Sequence, residues 1–276
     1  MKTLFVAFLT SCLPIAATCQ YLYNDLIMTG ENIKKRALYQ QQGVKAIRFN
    51  SQDGMGQPID GFSSSQTIKA NFTEISTLTS TSLSGASTNS SFFNAQGQLV
   101  RTIDTSDGNK TTIEYSYYPD KKLQKLTSVS SSPGNFINKE AHYWTYQDGK
   151  PVKMLRIRND RDTTFISFIL DEAGNIAEEH SLFNGQEQPT YYYYYDEQHR
   201  LTDIVRYNQR AKRMLPDYIF EYTDKGQLAT MLVTTEGTSD YQKWQYTYNE
   251  KDLKVKDECF AKSRALIGQV LYQYNF

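Results

Sequence analysis

Five consecutive tyrosines, Tyr191 to Tyr195, precede an acidic turn in the stretch YYYYYDEQHRL. On a β-strand, side chains alternate between faces, so Tyr191, Tyr193 and Tyr195 share one face and Tyr192 and Tyr194 the other. Most other positions equivalent to Tyr192 and Tyr194 carry Ser, Thr, Glu or Gln, with Tyr143 as a further aromatic. Exposed tyrosines on a rigid sheet supply flat apolar area with a polar tip, which suits stacking on sugar rings or anchoring a protein partner. Tyr143, Tyr192 and Tyr194 are therefore the candidate ligand-binding residues. The competing reading packs them under a loop, against the N-terminal segment or in a second layer of a curled sheet.

The remaining reactive residue types are scattered. His142, His180 and His199 fall at a strand position, a return strand and a turn, with no metal-ligand spacing among them. They read as ordinary sheet and turn histidines. Asp171, Asp196 and Asp224 sit singly at turns, without the dense acidic spacing of a calcium loop, so turn chemistry accounts for them. Glu178 and Glu179 are adjacent and would face opposite sides of a strand, which suits no acid/base pair. Cys259 has no histidine near it in sequence and reads as a buried thiol. Neither a nucleophile elbow nor a phosphate or dinucleotide loop occurs, and the expectation is a non-enzymatic protein with no metal and no cofactor.

The elements that position these residues follow from a repeat. The last aromatic before each turn falls at Phe93, Tyr117, Tyr146, Leu170 (an aliphatic exception), Tyr195, Tyr222, Tyr248 and Tyr274, giving spacings of 24, 29, 24, 25, 27, 26 and 26 residues. Stepping back by two from each anchor gives sets such as His142, Trp144, Tyr146 and Trp244, Tyr246, Tyr248, the alternation of a strand with one buried face. Turn-forming DEAG, DEQH, TDKG and NEKD follow the anchors. The first apolar residue after each turn lies six past the anchor, at Leu99, Leu123, Val152, Ile176, Leu201 and Leu228, but five past at Leu253, which predicts a loop shorter by one there. Leu126, Leu155, Ile204 and Met231 follow three residues later, a spacing that needs a β-bulge to keep both apolar positions in the core.

The fold class expected is all-β: an antiparallel up-and-down meander of roughly 25-residue hairpin repeats in a strongly curled or spiralling sheet, because neighbouring strands rotate by about 20 to 25°. Residues 91–276 hold the repeats and 43–90 hold diverged repeats with a Ser/Thr-rich stretch. Residues 20–42 form a cap segment in which NDLIMTGENIKKRALYQQQ reads as a short helix.

The motif aromatic-Asp-x-x-Gly-x-Leu, clearest in LDEAGNI and, with one inserted residue, in FEYTDKGQL, resembles the YD repeat of the RHS family. YYYDEQHRL keeps Tyr-Asp and Arg-Leu but has His199 where that family favours Gly. The resemblance covers roughly residues 90 to 276 and implies curling β-sheets like those that wrap into shells in the longest members. This chain has too few units to be expected to enclose anything, so it is similar instead to short, free-standing exported members of Bacteroidetes-like bacteria, and no shell function is carried over.

The N-terminal MKTLFVAFLTSCLPIAATCQ reads as a secretory signal peptide over residues 1–19, cleaved near Cys19. Lipoprotein anchoring at Cys19 is the variant reading, and export would leave Cys259 as the only thiol. The location expected is the periplasm, the outer-membrane surface or the extracellular space, with no transmembrane helix. Lys and Arg balance Asp and Glu at 30 each, which gives no basic face and no nucleic-acid partner.

Three functions compete. The first is an envelope or secreted binding scaffold recognising a glycan or an envelope protein through sheet aromatics. The second is an assembly protein that pairs through exposed edge strands. The third is an outer-membrane β-barrel, suggested by the terminal VLYQYNF. Charges on both strand parities count against the third, as at Arg156 and Arg158, Glu178 and Glu179, Asp203 and Arg206, and Lys254 and Asp257.

Overall fold

The computed structural model describes residues 21–276 apart from 83, 135 and 236–239, so the expected signal peptide over residues 1–19, with Cys12 and Cys19, lies outside the described residues. Among the described residues one helix, α1 (Asn24–Gln42), is followed by strands. They are β1 (Ala46–Asp53), β2 (Phe62–Ile68), β3 (Glu74–Thr81), β4 (Gly85–Phe93), β5 (Leu99–Ser106), β6 (Asn109–Tyr117), β7 (Leu123–Ser132), β8 (Phe136–Gln147), β9 (Lys150–Arg158) and β10 (Asp162–Leu170). There follow β11 (Ile176–Phe183), β12 (Gln186–Glu187), β13 (Tyr191–Tyr195), β14 (Leu201–Asn208), β15 (Arg213–Tyr222), β16 (Leu228–Thr234), β17 (Tyr241–Tyr248), β18 (Lys254–Ala261) and β19 (Leu266–Asn275).

Each strand pairs antiparallel with the next, and β19 returns to pair with β1 from Ala46↔Asn275 to Asp53↔Gly268. The curled meander thus closes into an 18-strand barrel. β12 and β13 act as one interrupted strand along β11, because Pro189 between them has no N–H to give the ladder. The expectation that so few units could enclose nothing is corrected here, since closure leaves an interior into which the helix packs.

The bulges fall where the spacing of apolar residues placed them. Tyr117 pairs with Leu123 and Ser116 with Lys125, which skips Gln124 and leaves both Leu123 and Leu126 buried. The same step separates Leu201 from Asp203 and Leu228 from Thr230. Two details of the sequence reading are corrected. The β8–β9 connection is a tight Asp148-Gly149 turn with Tyr146 opposite Pro151, so Met154 and not Leu155 takes the inward position. The loop after Tyr248 is no shorter than the others, because Tyr248 pairs with Lys254 and Leu253 occupies the last loop position with its side chain fully buried.

A bulge leaves a backbone carbonyl without its ladder partner, and the anchor tyrosines fill that need. The hydroxyls of Tyr117, Tyr195, Tyr222, Tyr248 and Tyr274 donate to the carbonyls of Leu99, Ile176, Leu201, Leu228 and Lys254 at 2.6, 2.9, 2.7, 2.9 and 2.7 Å. Each accepting residue lies at the bulge of the preceding unit. That is a reason for tyrosine, rather than phenylalanine, at the repeating anchor.

Inside the barrel are two apolar clusters. One, centred on Trp144, Ile166, Tyr193 and Ile204, takes in Leu22 and Leu26; the other, centred on Ile47, Ile75, Phe93 and Leu253, takes in Ile33 and Tyr39. At about 1.5 Å per residue α1 is roughly 28 Å long, enough to bridge from β8–β15 to the opposite wall at β1–β5. It ends at Gly43 in the left-handed conformation (φ 69°), and the Val44 N–H donates to the Tyr39 carbonyl.

Candidate functional site

β13 alternates as expected. Tyr191 and Tyr193 are buried, Tyr195 is half-buried with its hydroxyl on Ile176, and Tyr192 and Tyr194 face outward, Tyr194 being 52% exposed. Tyr192 lies between Glu178 of β11 and Val205 of β14, and Tyr194 stands opposite Asp203. Beside them opens a depression of about 500 Å³ whose wall includes Tyr192, Tyr194, Glu178, Asp171 and His199.

The loops 171–175 and 196–200 form its rim. Asp171 Oδ1 accepts from the Asn175 N–H, and Asp196 Oδ1 accepts from the N–H groups of Gln198 and Arg200. Asn175 Nδ2 donates to His199 Nδ1 at 3.2 Å, which ties the two loops together. Burial opposes ionisation of both aspartates, yet their hydrogen bonds, from Asn175 in one case and Arg200 in the other, hold them below the usual carboxylate range. They are fixed acceptors, and the depression combines an aromatic face with a preorganised polar rim. His199 adopts φ 59° at the loop position where Gly97, Gly174 and Gly226 take φ of 79°, 82° and 80°.

Tyr143 also faces outward, 39% exposed, with Lys125 Nζ 5.1 Å from its ring centroid. β9, β10 and β11 separate its strand from β13, a distance of about 19 Å at the usual strand spacing. The structure therefore brings Tyr192 and Tyr194 together and leaves Tyr143 on another part of the surface.

The interior holds charged groups whose pairing the sequence did not reveal. Glu179 occupies the inward position that Leu126, Met154 and Ile204 fill in other units, and is 2% exposed. Its carboxylate accepts from the N–H groups of Leu22 and Tyr23 at 2.9 Å and from the Tyr193 hydroxyl at 2.8 Å. A carboxylate there also faces the positive end of α1, though desolvation still raises its pKa. Asp257 takes the same inward position in β18, accepts from the Tyr272 hydroxyl at 2.7 Å and is likewise raised by burial.

His142 is more than an ordinary sheet histidine. Its ring donates from Nδ1 to Asp25 Oδ2 at 2.6 Å and from Nε2 to Glu140 Oε1 at 2.7 Å. Trp144 Nε1 donates to the same Asp25 oxygen at 3.2 Å, and Arg156 Nη2 donates to Glu140 at 2.8 Å. Desolvation works against the imidazolium, but Asp25 and then Glu140 outweigh it and push His142 up to about 9. Glu140, desolvated but held by His142 and Arg156, falls to about 2. This chain fastens the first turn of α1 to β8 and β9, and Asp25 lies 117 residues from His142. A polar residue at a core position, as at Glu179 and His142, was the available signal.

His180 pairs with Glu178 at 2.6 Å on the outer face. Cys259 is buried, and burial pushes its thiol up to about 11. Among the described residues no group of His, Cys, Asp or Glu could hold a metal ion, and no helix is long and apolar enough to cross a membrane.

No family model and no curated protein sequence matches the chain. Among solved structures it is similar to the Tc holotoxin pore of Photorhabdus luminescens, at 13% identity and a TM-score of 0.34 over 77% of this chain, which spans only 12% of that chain. It is also similar to a porin-like protein from Bacteroides uniformis, at 8% identity and a TM-score of 0.43 over 84% of this chain and 96% of that one.

Proposed function

We propose that the chain is an exported, non-enzymatic envelope or secreted protein, a closed-barrel scaffold of YD-type hairpins that binds a glycan at the Tyr192/Tyr194 depression. The observation that carries the reading is the pair of outward tyrosines beside an open depression whose rim carboxylates are already fixed as acceptors. Tyrosine faces stack on sugar C–H surfaces, and Glu178 and Asn175 offer hydrogen-bonding groups for hydroxyls at its edge. The test is binding to a panel of envelope and plant glycans. Tyr192→Ala/Tyr194→Ala is expected to weaken binding by tenfold or more at unchanged stability. Absence of glycan binding by the unsubstituted protein, or binding that survives the double substitution, would overturn the site and turn attention to a protein partner.

Closure of the sheet also meets the geometric requirement of the outer-membrane reading, and several charges that counted against it, among them Arg156, Glu179 and Asp257, face inward. The outward face still carries Arg101 with Glu114, Lys243 with Glu221 and Lys256 with Glu258. Each basic group would cost about 2 to 4 kcal/mol at mid-bilayer. The aqueous scaffold is therefore preferred, and solubility without detergent separates the two. Closure also removes the free edges on which assembly by strand pairing would depend.

A further inference from the structure

The outer wall of the barrel is unequal around its circumference. On β2 to β4 the outward positions are mostly Ser and Thr, among them Ser63, Ser65, Thr67, Ser76, Thr88 and Ser90. On β7 to β11 the pairing registers align one transverse row of Lys125, Tyr143, Leu155, Phe165 and Leu182. Phe165 is 62% exposed and Leu182 42%, and further along the same outward faces of β8 and β10, Ile137 and Ile169 are half or more exposed. At about 4.8 Å per strand the row is roughly 19 Å long, more continuous apolar surface than isolated exposed residues provide.

Charge on the β7 to β10 part of this wall has one sign, and the outward carboxylate of β11, Glu178, is paired with His180. The outward positions of β7 to β10 contain Lys125, Lys139 and Lys153 and no carboxylate. Lys125 lies at the end of the apolar row and Lys153 in the adjacent transverse row, between Thr145 and Ser167. Lys139 pairs with Asp160 at 3.8 Å, and both side chains are exposed to solvent, which screens the pair. Aromatic and aliphatic side chains flanked by lysines are the chemistry of an interfacial contact, in which rings and methyl groups enter the headgroup boundary and ammonium groups meet anionic lipids.

We propose that the outer wall of β7 to β11 is a membrane-docking face that lays the Tyr143–Leu155–Phe165–Leu182 row onto an anionic lipid surface, with Lys125, Lys139 and Lys153 contacting the headgroups. The barrel lies against the bilayer and does not cross it. The inference is tested apart from glycan binding: β11 borders the Tyr192/Tyr194 depression through Glu178, but Phe165, Leu182, Lys125 and Lys153 lie outside it.

The test uses residues 20–276, which include every element of the closed barrel, in sedimentation with vesicles of phosphatidylcholine alone or of equal parts phosphatidylcholine and phosphatidylglycerol. Binding is expected only to the anionic vesicles and to fall as salt rises. Phe165→Ser/Leu182→Ser is expected to lower the partition coefficient roughly tenfold or more. Lys125→Gln/Lys153→Gln is expected to weaken anionic binding severalfold, and it keeps the test valid if the first variant fails to fold. Failure to bind either vesicle, or equal binding by the unsubstituted protein and the lysine variant, overturns the proposal. Concentration-dependent dimerisation without vesicle binding, abolished by Phe165→Ser/Leu182→Ser, would assign the face to a second copy of the chain and overturn the lipid reading.

Discussion

Removing the imidazolium at His142 tests how α1 is held. His142 is buried, donates to both Asp25 and Glu140, and is pushed up to about 9 from an ordinary 6.5. A folded-state pKa above the unfolded value means that the stabilisation is fully present below about pH 6.5 and is lost as pH rises through about 9. The shift corresponds to about 3 kcal/mol at the low-pH end of that window. Urea unfolding at intervals from pH 6 to 10 should therefore show the midpoint of the unsubstituted protein falling, while His142→Gln begins less stable and falls by less. Cys259 also titrates near the upper end of this range in the unfolded chain, so the difference between the two proteins isolates the imidazolium. Fluorescence in a Trp244→Phe background reports Trp144, whose indole shares the Asp25 oxygen, and should change as the helix anchor weakens. The reasoning is refuted if the stability difference between the two proteins is the same at pH 6 and pH 10.

The tyrosine ladder predicts that Tyr222→Phe or Tyr248→Phe costs about 1 to 2 kcal/mol, because a bulge carbonyl loses its donor, whereas Tyr194→Phe costs close to nothing; thermal or urea melts check both. Glu179→Leu should cost about 2 to 4 kcal/mol despite its apolar surroundings, since the Leu22 and Tyr23 N–H groups and the Tyr193 hydroxyl lose their acceptor, and amide exchange at residues 22–26 should accelerate. His199→Gly should stabilise the fold by roughly 0.5 to 1 kcal/mol in urea unfolding, because the left-handed backbone there is costly for any residue with a Cβ. A destabilised His199→Gly protein would mean that the Asn175 contact outweighs the backbone strain.

The alternation of Tyr191, Tyr193 and Tyr195, the turn aspartates and the bulge between Leu123 and Leu126 were all legible, because each is a local consequence of strand period or turn chemistry. Local patterning also placed Tyr192 and Tyr194 outward. It misplaced Leu155 and the loop at Leu253, because a one-residue difference in turn geometry exchanges the faces of every residue that follows. What the sequence by itself determined is a chain of hairpins, each with a buried aromatic face, joined by turns that need Asp, Asn or Gly. What only the tertiary structure decided is closure, since the pairing of Ala46–Asp53 with Gly268–Asn275 depends on strand twist accumulated around the whole sheet and leaves no local trace. The same holds for Asp25 on His142 and Leu22 on Glu179, contacts across 117 and 157 residues that form only when the closed wall brings its inward polar groups to the end of one helix.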